Sequence, residues 1–261
     1  MARDFDGVDD IIKNTSITTF SGSYTMAGWI NADSAAEGLR IIETARSSDG
    51  LGERGLIVQT GFKLEAFQGF TTEWSDSVST QTLTVGVWYC VVATYTSSDK
   101  KMRMYYGSLS APMAEMSYSL QTAGVGTIME TSVRVMVGST TNGETNRDFD
   151  GRIEHAFCDN RIWTLDEMEA FRQGQRPINT GSMIFYWPLD SPTAAQAEDL
   201  SGNGYHGTVT GAIAAEGPPV AMRWGDSFGV TYTAAVAGGA VLDERHYPRG
   251  VARGVLRGVA A

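Results

Sequence analysis

The chain is poor in the residues that most often carry chemistry: 261 residues contain two cysteines, three histidines and seven prolines. Cys90 and Cys158 are too few for a disulfide framework, and their apolar neighbours fit small fillers within strands. His155, His206 and His246 are scattered, and no Ser-His-Asp pattern or metal-ligand spacing emerges from them. No run of about 18 apolar residues could span a membrane. Positive charge is also short, at 20 Lys and Arg against 30 Asp and Glu, a net charge of -10. With a pI near 4.8, such a surface opposes nucleic acid and anionic membranes, so neither is an expected partner. The opening Met1 to Gly7 puts carboxylates where a secretory signal needs an apolar core, so synthesis in the cytoplasm is expected.

What is present is 42% hydrophobic content and 30 glycines, enough for one large sandwich with an appendage. Strand-like segments recur between turn formers: Tyr24 to Ile30, Gly55 to Gln59, Phe62 to Phe67, Trp88 to Tyr95, Lys101 to Tyr106, Val133 to Val137 and Gly151 to Phe157. Such spacing reads as an all-β sandwich rather than alternating βαβ units. A single helix is expected over Leu165 to Gln173, with Thr164 as N-cap, Asp166 and Glu167 in its first turn and Gly174 as its stop. Leu165, Met168 and Phe171 or Arg172 would share one face of this short surface helix, laid against the sandwich.

Three stretches carry a family resemblance over residues 4–212. Trp88 to Tyr95 matches a Trp-x-x-Val-Ala-x-x-Tyr strand with one residue's latitude. Gly151 to Glu167 matches a Gly-x-Ile-(Asp/Glu) strand followed by Arg-x-x-x-Leu, and Phe5-Asp-Gly stands near the start. The chain thus resembles the laminin-G-like branch of the concanavalin A-like lectin/glucanase superfamily, which implies a jelly-roll β-sandwich. At Tyr106-Gly107 it departs from the family's Asn-Gly turn, and a longer hairpin is expected. Tyr186 to Asp190 and Asp199 to Thr208 resemble the family's opening strand and its Asp-x-Ser-Gly-Asn-Gly loop, which normally precede Phe-Asp-Gly. Here they follow the helix. A permuted sandwich over residues 1–212 is expected, with 184–211 returning near the N-terminal strand and 213–261 forming a linker and an extended C-terminal arm.

Catalysis in the glucanase branch uses carboxylates alternating along one strand, Glu-x-Asp-x-(x)-Glu, and no strand here has that pattern. Glu154 and Asp159 would fall on opposite faces of an ideal strand, and Asp166, Glu167 and Glu169 belong to a solvated helix turn. A non-enzyme is expected. Calcium is the candidate cofactor: Asp199 and Asn203 supply hard oxygen ligands among glycines, with Asp9 or Asp10 joining if the ends of the sandwich meet. An Asx-turn would use the same residues for local backbone bonds. Trp74, in the polar loop Phe70 to Asp76, is the candidate sugar-stacking residue, against core-like settings for Trp29, Trp88, Trp163 and Trp187.

The C-terminus repeats Arg-Gly-Val, placing Arg245, Arg249, Arg253 and Arg257 four residues apart. Three glycines at about 1 kcal/mol each disfavour a free helix. An extended arm would offer guanidinium forks to carboxylates of a neighbouring acidic subunit. The Met-Ala-Arg-x-Phe-Asp-Gly opening and the late Trp-Pro-Leu-Asp and Asp-Leu-Ser-Gly-Asn-Gly stretches resemble laminin-G-like proteins of tailed bacteriophages. The resemblance implies a virion structural protein, a capsid decoration or cement protein or a particle-surface protein, whose partners are other virion proteins and copies of itself. The alternative is a lectin-like adhesin that binds a host-surface glycan.

Overall fold

The computed structural model describes residues 1–17, 22–36, 38–46, 52–129, 132–140, 147–177, 181–191 and 195–220. The expected arm, with Arg245, Arg249, Arg253 and Arg257, lies outside the described residues.

The strands are β1 (Ala2–Asp6), β2 (Ile11–Asn14), β3 (Tyr24–Ala32), β4 (Leu39–Arg46), β5 (Gly52–Gln59), β6 (Lys63–Gln68), β7 (Ser75–Ser79), β8 (Tyr89–Thr96) and β9 (Lys101–Ser108). They continue as β10 (Ala114–Glu115), β11 (Tyr118–Thr122), β12 (Ser132–Val137) and β13 (Asp150–Asp159). After helix α1 (Leu165–Arg172) come β14 (Met183–Trp187), β15 (Gln196–Ala197), β16 (Gly207–Thr210) and β17 (Ile213–Ala215). One sheet runs β10-β9-β8-β3-β13-β1-β17 with β14 also on β13; the other runs β11-β7-β6-β5-β4-β12-β2-β16-β15. All their pairings are antiparallel. The molecule is therefore the expected all-β jelly-roll sandwich with one short surface helix.

Alternation along each strand sends one set of side chains between the sheets. That interior holds Ile12, Met26, Ile30, Leu56, Leu64, Val91, Met104, Val135, Ile153, Phe185 and Trp187. The opposite face of β3, β8 and β13 is covered too: Trp29, Cys90, Val92, Phe157 and Tyr186 pack with Trp163, Met168 and Phe171 beneath α1. Burial on both faces explains why β3 is buried at every position. Cys90 and Cys158 are free and buried, and burial pushes both thiols well above their ordinary range.

Helix α1 starts on a capping box. Glu167 N donates to Thr164 Oγ1, and Thr164 N donates to a Glu167 carboxylate oxygen at 2.8 Å. Leu165, expected to share a face with Met168 and Phe171, is 49% exposed, and the short helix meets the sheet through Met168 and Phe171. Tyr106 and Gly107 lie inside β9 instead of in a turn, and the chain reverses farther on, where Ser108 N donates to Ala111 O. Residues 184–211 supply most of β14 and all of β15 and β16; β16 pairs with β2, and β17, past residue 212, pairs with β1. The Trp187 indole N–H donates to Tyr205 O at 2.8 Å, tying β14 to the loop before β16.

Candidate functional site

Ser75, Ser77 and Ser79 of β7 are buried, so Asp76 and Val78 between them stand on the outer face of the nine-stranded sheet. Register sets their neighbours. Phe67 of β6 lies opposite Asp76, which lies opposite Thr122 of β11, while Glu65, Val78 and Leu120 form the next row. Residues directly opposite in an antiparallel pair present their side chains on the same face. Trp74, two residues before Asp76, continues that column, and its ring lies 5.5 Å from the Phe67 ring at 34°.

Trp74 is 43% exposed while Trp29, Trp88, Trp163 and Trp187 are at most 8% exposed. Among the described residues it is thus the tryptophan that offers a face to solvent, as the sequence suggested. Phe67 backs it from a position only 6% exposed. Beside them Asp76 Oδ1 is buried and has no hydrogen-bond partner among the described residues. Burial raises the Asp76 carboxyl above its ordinary value, and the Ser77 backbone N–H acts against that rise. On the far side of Phe67 the Arg40 guanidinium stands 6.0 Å from the ring centre. Arg40 is ion-paired with Glu43, which accepts a 3.0 Å bond from Thr140 Oγ1.

The result is an aromatic wall beside a carboxylate with one buried oxygen unpartnered among the described residues. Such a surface presents apolar area to a ring and an acceptor to hydroxyl or ammonium groups. Phe67 and Asp76 carry no sequence signal of their own; only the register of β6 on β7 places them beside Trp74.

The expected calcium ligands fall in two places. Asp199 is 6% exposed and its carboxylate accepts from Tyr186 N, Ser201 N, Ser201 Oγ and Tyr205 N at 2.7–3.0 Å. Asn203 Nδ2 donates to Met183 O and Ile184 O. This loop spends its polar atoms clamping itself to β14, as an Asx-turn would. Asp9 and Asp10 instead group with Asp6, offering ligand atoms within 4.8 Å of one another. Asp10 Oδ2 accepts from Asp6 N at 2.9 Å.

The carboxylates considered for catalysis are engaged. A bulge between Glu154 and Phe157 resets β13 against β3, so Glu154 pairs with Trp29 and Asp159 with Thr25. Glu154 and Asp159 therefore share a face, contrary to ideal alternation, because the bulge adds one residue. His155, at the bulge, has φ 56° and holds the Tyr186 hydroxyl at 2.8 Å. Glu154 faces the N-terminal ammonium at 3.4 Å, and Asp159 accepts from the Trp163 indole at 2.7 Å and pairs with Arg161 at 3.0 Å. Glu167 pairs with Arg161 at 2.7 Å, and the Arg172 guanidinium holds the Glu169 carboxyl down to about 2.

No protein-family model and no curated protein matches the chain. Solved structures do. A Bacteroides ovatus protein assigned to carbohydrate binding aligns with TM-score 0.61 and 20% identity over 85% of this chain and 61% of that one. The present chain thus spans about three fifths of that protein's length. The heptameric SAP-like pentraxin of Limulus polyphemus aligns with TM-score 0.51 and 12% identity over 66% and 81% of the two chains. The enzymatically active domain of tailspike protein 2 from bacteriophage CBA120 aligns with TM-score 0.51 and 15% identity over 74% and 34%. The chain shares the jelly-roll sandwich fold of these structures.

Proposed function

We propose that the chain is a non-catalytic, lectin-like module that binds glycan on the outer face of its nine-stranded sheet. The observation that carries this reading is the exposed Trp74 ring tilted against Phe67 beside Asp76, whose Oδ1 is buried without a partner among the described residues. A sugar has one apolar face and a rim of hydroxyls, and the site pairs an aromatic face with an acceptor in the same way. The jelly roll supports it as a fold that a protein assigned to carbohydrate binding also uses. Titration of immobilised glycans with the full chain tests it. Selected glycans should bind, and Trp74→Ala should weaken them at least about tenfold, the effect of losing ~1.4 kcal/mol, while the melting temperature stays close to the parent's. Binding indifferent to Trp74 would refute the site.

A second reading, attachment to a virus particle as a decoration or surface protein, is favoured by the arginine repeat at Arg245, Arg249, Arg253 and Arg257, opposite in sign to the chain's net charge of -10. Mass spectrometry of purified particles would detect the chain, and deletion of 242–261 should weaken its attachment to acidic neighbours or to copies of itself. Attachment unchanged by the deletion would rule out the arm.

A further inference from the structure

We propose that the site at Trp74, Phe67 and Asp76 selects an amine-bearing glycan, of the class of de-N-acetylated hexosamine oligomers, over its neutral N-acetylated counterpart. This rests on the glycan-binding reading and adds the chemical class of the ligand.

Asp76 is the reason. Its Oδ1 is buried with no partner among the described residues, while the residue as a whole stays partly exposed on the outer face of the sheet. Around it stand Phe67, Thr122, Val78 and Trp74, none of them charged. The Thr122 hydroxyl is taken up by backbone groups, accepting from Asp76 N at 3.1 Å and lying 3.2 Å from Trp74 O. The nearby cation, Arg40, is committed to Glu43. The carboxylate has lost water at Oδ1 without gaining a counter-charge among the described residues, and a cation docked at the exposed part of Asp76 would supply one.

A neutral sugar hydroxyl donates a single hydrogen bond and leaves the negative charge uncompensated. A protonated amine donates up to three, brings the charge, and meets the face of the Trp74 indole, the strongest cation–π partner among side chains. An acidic glycan would meet a like charge at the same point. The chain's overall charge of -10 further raises the local concentration of cationic ligands and opposes anionic ones.

The test is calorimetric titration of the full chain with chitosan tetramer and chitin tetramer at a pH low enough to protonate the sugar amine and high enough to keep Asp76 ionised. The chitosan tetramer should bind at least about tenfold more tightly, a preference of ~1.4 kcal/mol. Asp76→Asn should cut that ratio at least severalfold, leaving only what the Trp74 face and the overall charge supply, and Trp74→Ala should weaken both ligands. Equal affinity for the two tetramers, or a preference undiminished by Asp76→Asn, overturns the proposal and leaves glycan binding standing. Failure to bind these and every other glycan overturns both.

Discussion

Phe67 rests against the bare Cα of Gly55, its partner across β5 and β6: a Cβ on Gly55 would stand 2.7 Å from two carbons of the Phe67 ring. Phe67 in turn carries Trp74, so a residue with no side chain sets the height of the aromatic wall. Gly55 needs no left-handed backbone, so alanine fits its conformation and conflicts chiefly with the ring, with a milder crowding of Ile42 O at 3.3 Å. Gly55→Ala should cost about 1–3 kcal/mol by overpacking, shift the Trp74 fluorescence and reduce glycan affinity. An unchanged emission spectrum with unchanged affinity would show that the wall does not depend on this contact.

Asp76 should trade stability for binding. Burial raises its carboxyl above the ordinary 3.8, so the folded chain holds that proton more tightly than the unfolded chain. The ionised side chain therefore destabilises the fold at neutral pH, and the penalty is relieved as pH falls through the raised value and gone below about 3.8. Asp76→Asn should melt higher than the parent at neutral pH, with the gap closing on acidification. Thermal melts of both proteins across the acid range check this. A variant that melts lower at neutral pH would mean that Asp76 is structurally satisfied.

What could be read from the sequence was local. Thr164, Glu167 and Gly174 mark the ends of α1 because capping uses residues adjacent in the chain, and Trp74 stood out because its loop is polar. Asp76 and Phe67 could not be found in that way, since their proximity depends on which residue of β6 faces which residue of β7. Bulges hide in the same manner: Glu154 and Asp159 share a face only because His155 adopts a left-handed conformation. The strand β4, fully half of it charged or polar, escaped notice because Arg40, Glu43 and Thr44 are buried by their surroundings.

Trp187 fastens the late part of the chain to the interior. It is fully buried, its indole N–H donates to Tyr205 O, and a Cβ on Gly207 would come within 3.1 Å of its ring. Trp187→Ala removes that packing and the indole N–H bond to Tyr205 O, so unfolding should be easier by about 3–5 kcal/mol. Urea denaturation measures the loss. A midpoint equal to the parent's would mean that β14 contributes nothing to the cooperative unit.

Calcium binding is proposed for the three carboxylates of the first loop instead of the pair at Asp199 and Asn203. Asp6, Asp9 and Asp10 converge, and Asp10, 6% exposed, is pressed so close to Gly211 that a Cβ there would stand 1.6 Å from its Oδ1. Burial, then the charges of Asp6, Asp9 and Asp4, raise the Asp10 carboxyl, with the Asp6 N–H opposing them. A divalent ion would offset both the burial and the repulsion. An ion that binds only the folded state stabilises it by about 2.7 kcal/mol at a hundred times its dissociation constant. Millimolar calcium should therefore raise the melting temperature over that in chelator, and Asp10→Asn should abolish the rise. Asp199→Ala should lower the melting temperature in both conditions yet keep the difference between them, because its four hydrogen bonds serve the loop around β14 and not the ion. Identical melts in calcium and chelator would exclude the ion from this loop. A rise lost with Asp199→Ala but kept with Asp10→Asn would return the site to the later segment.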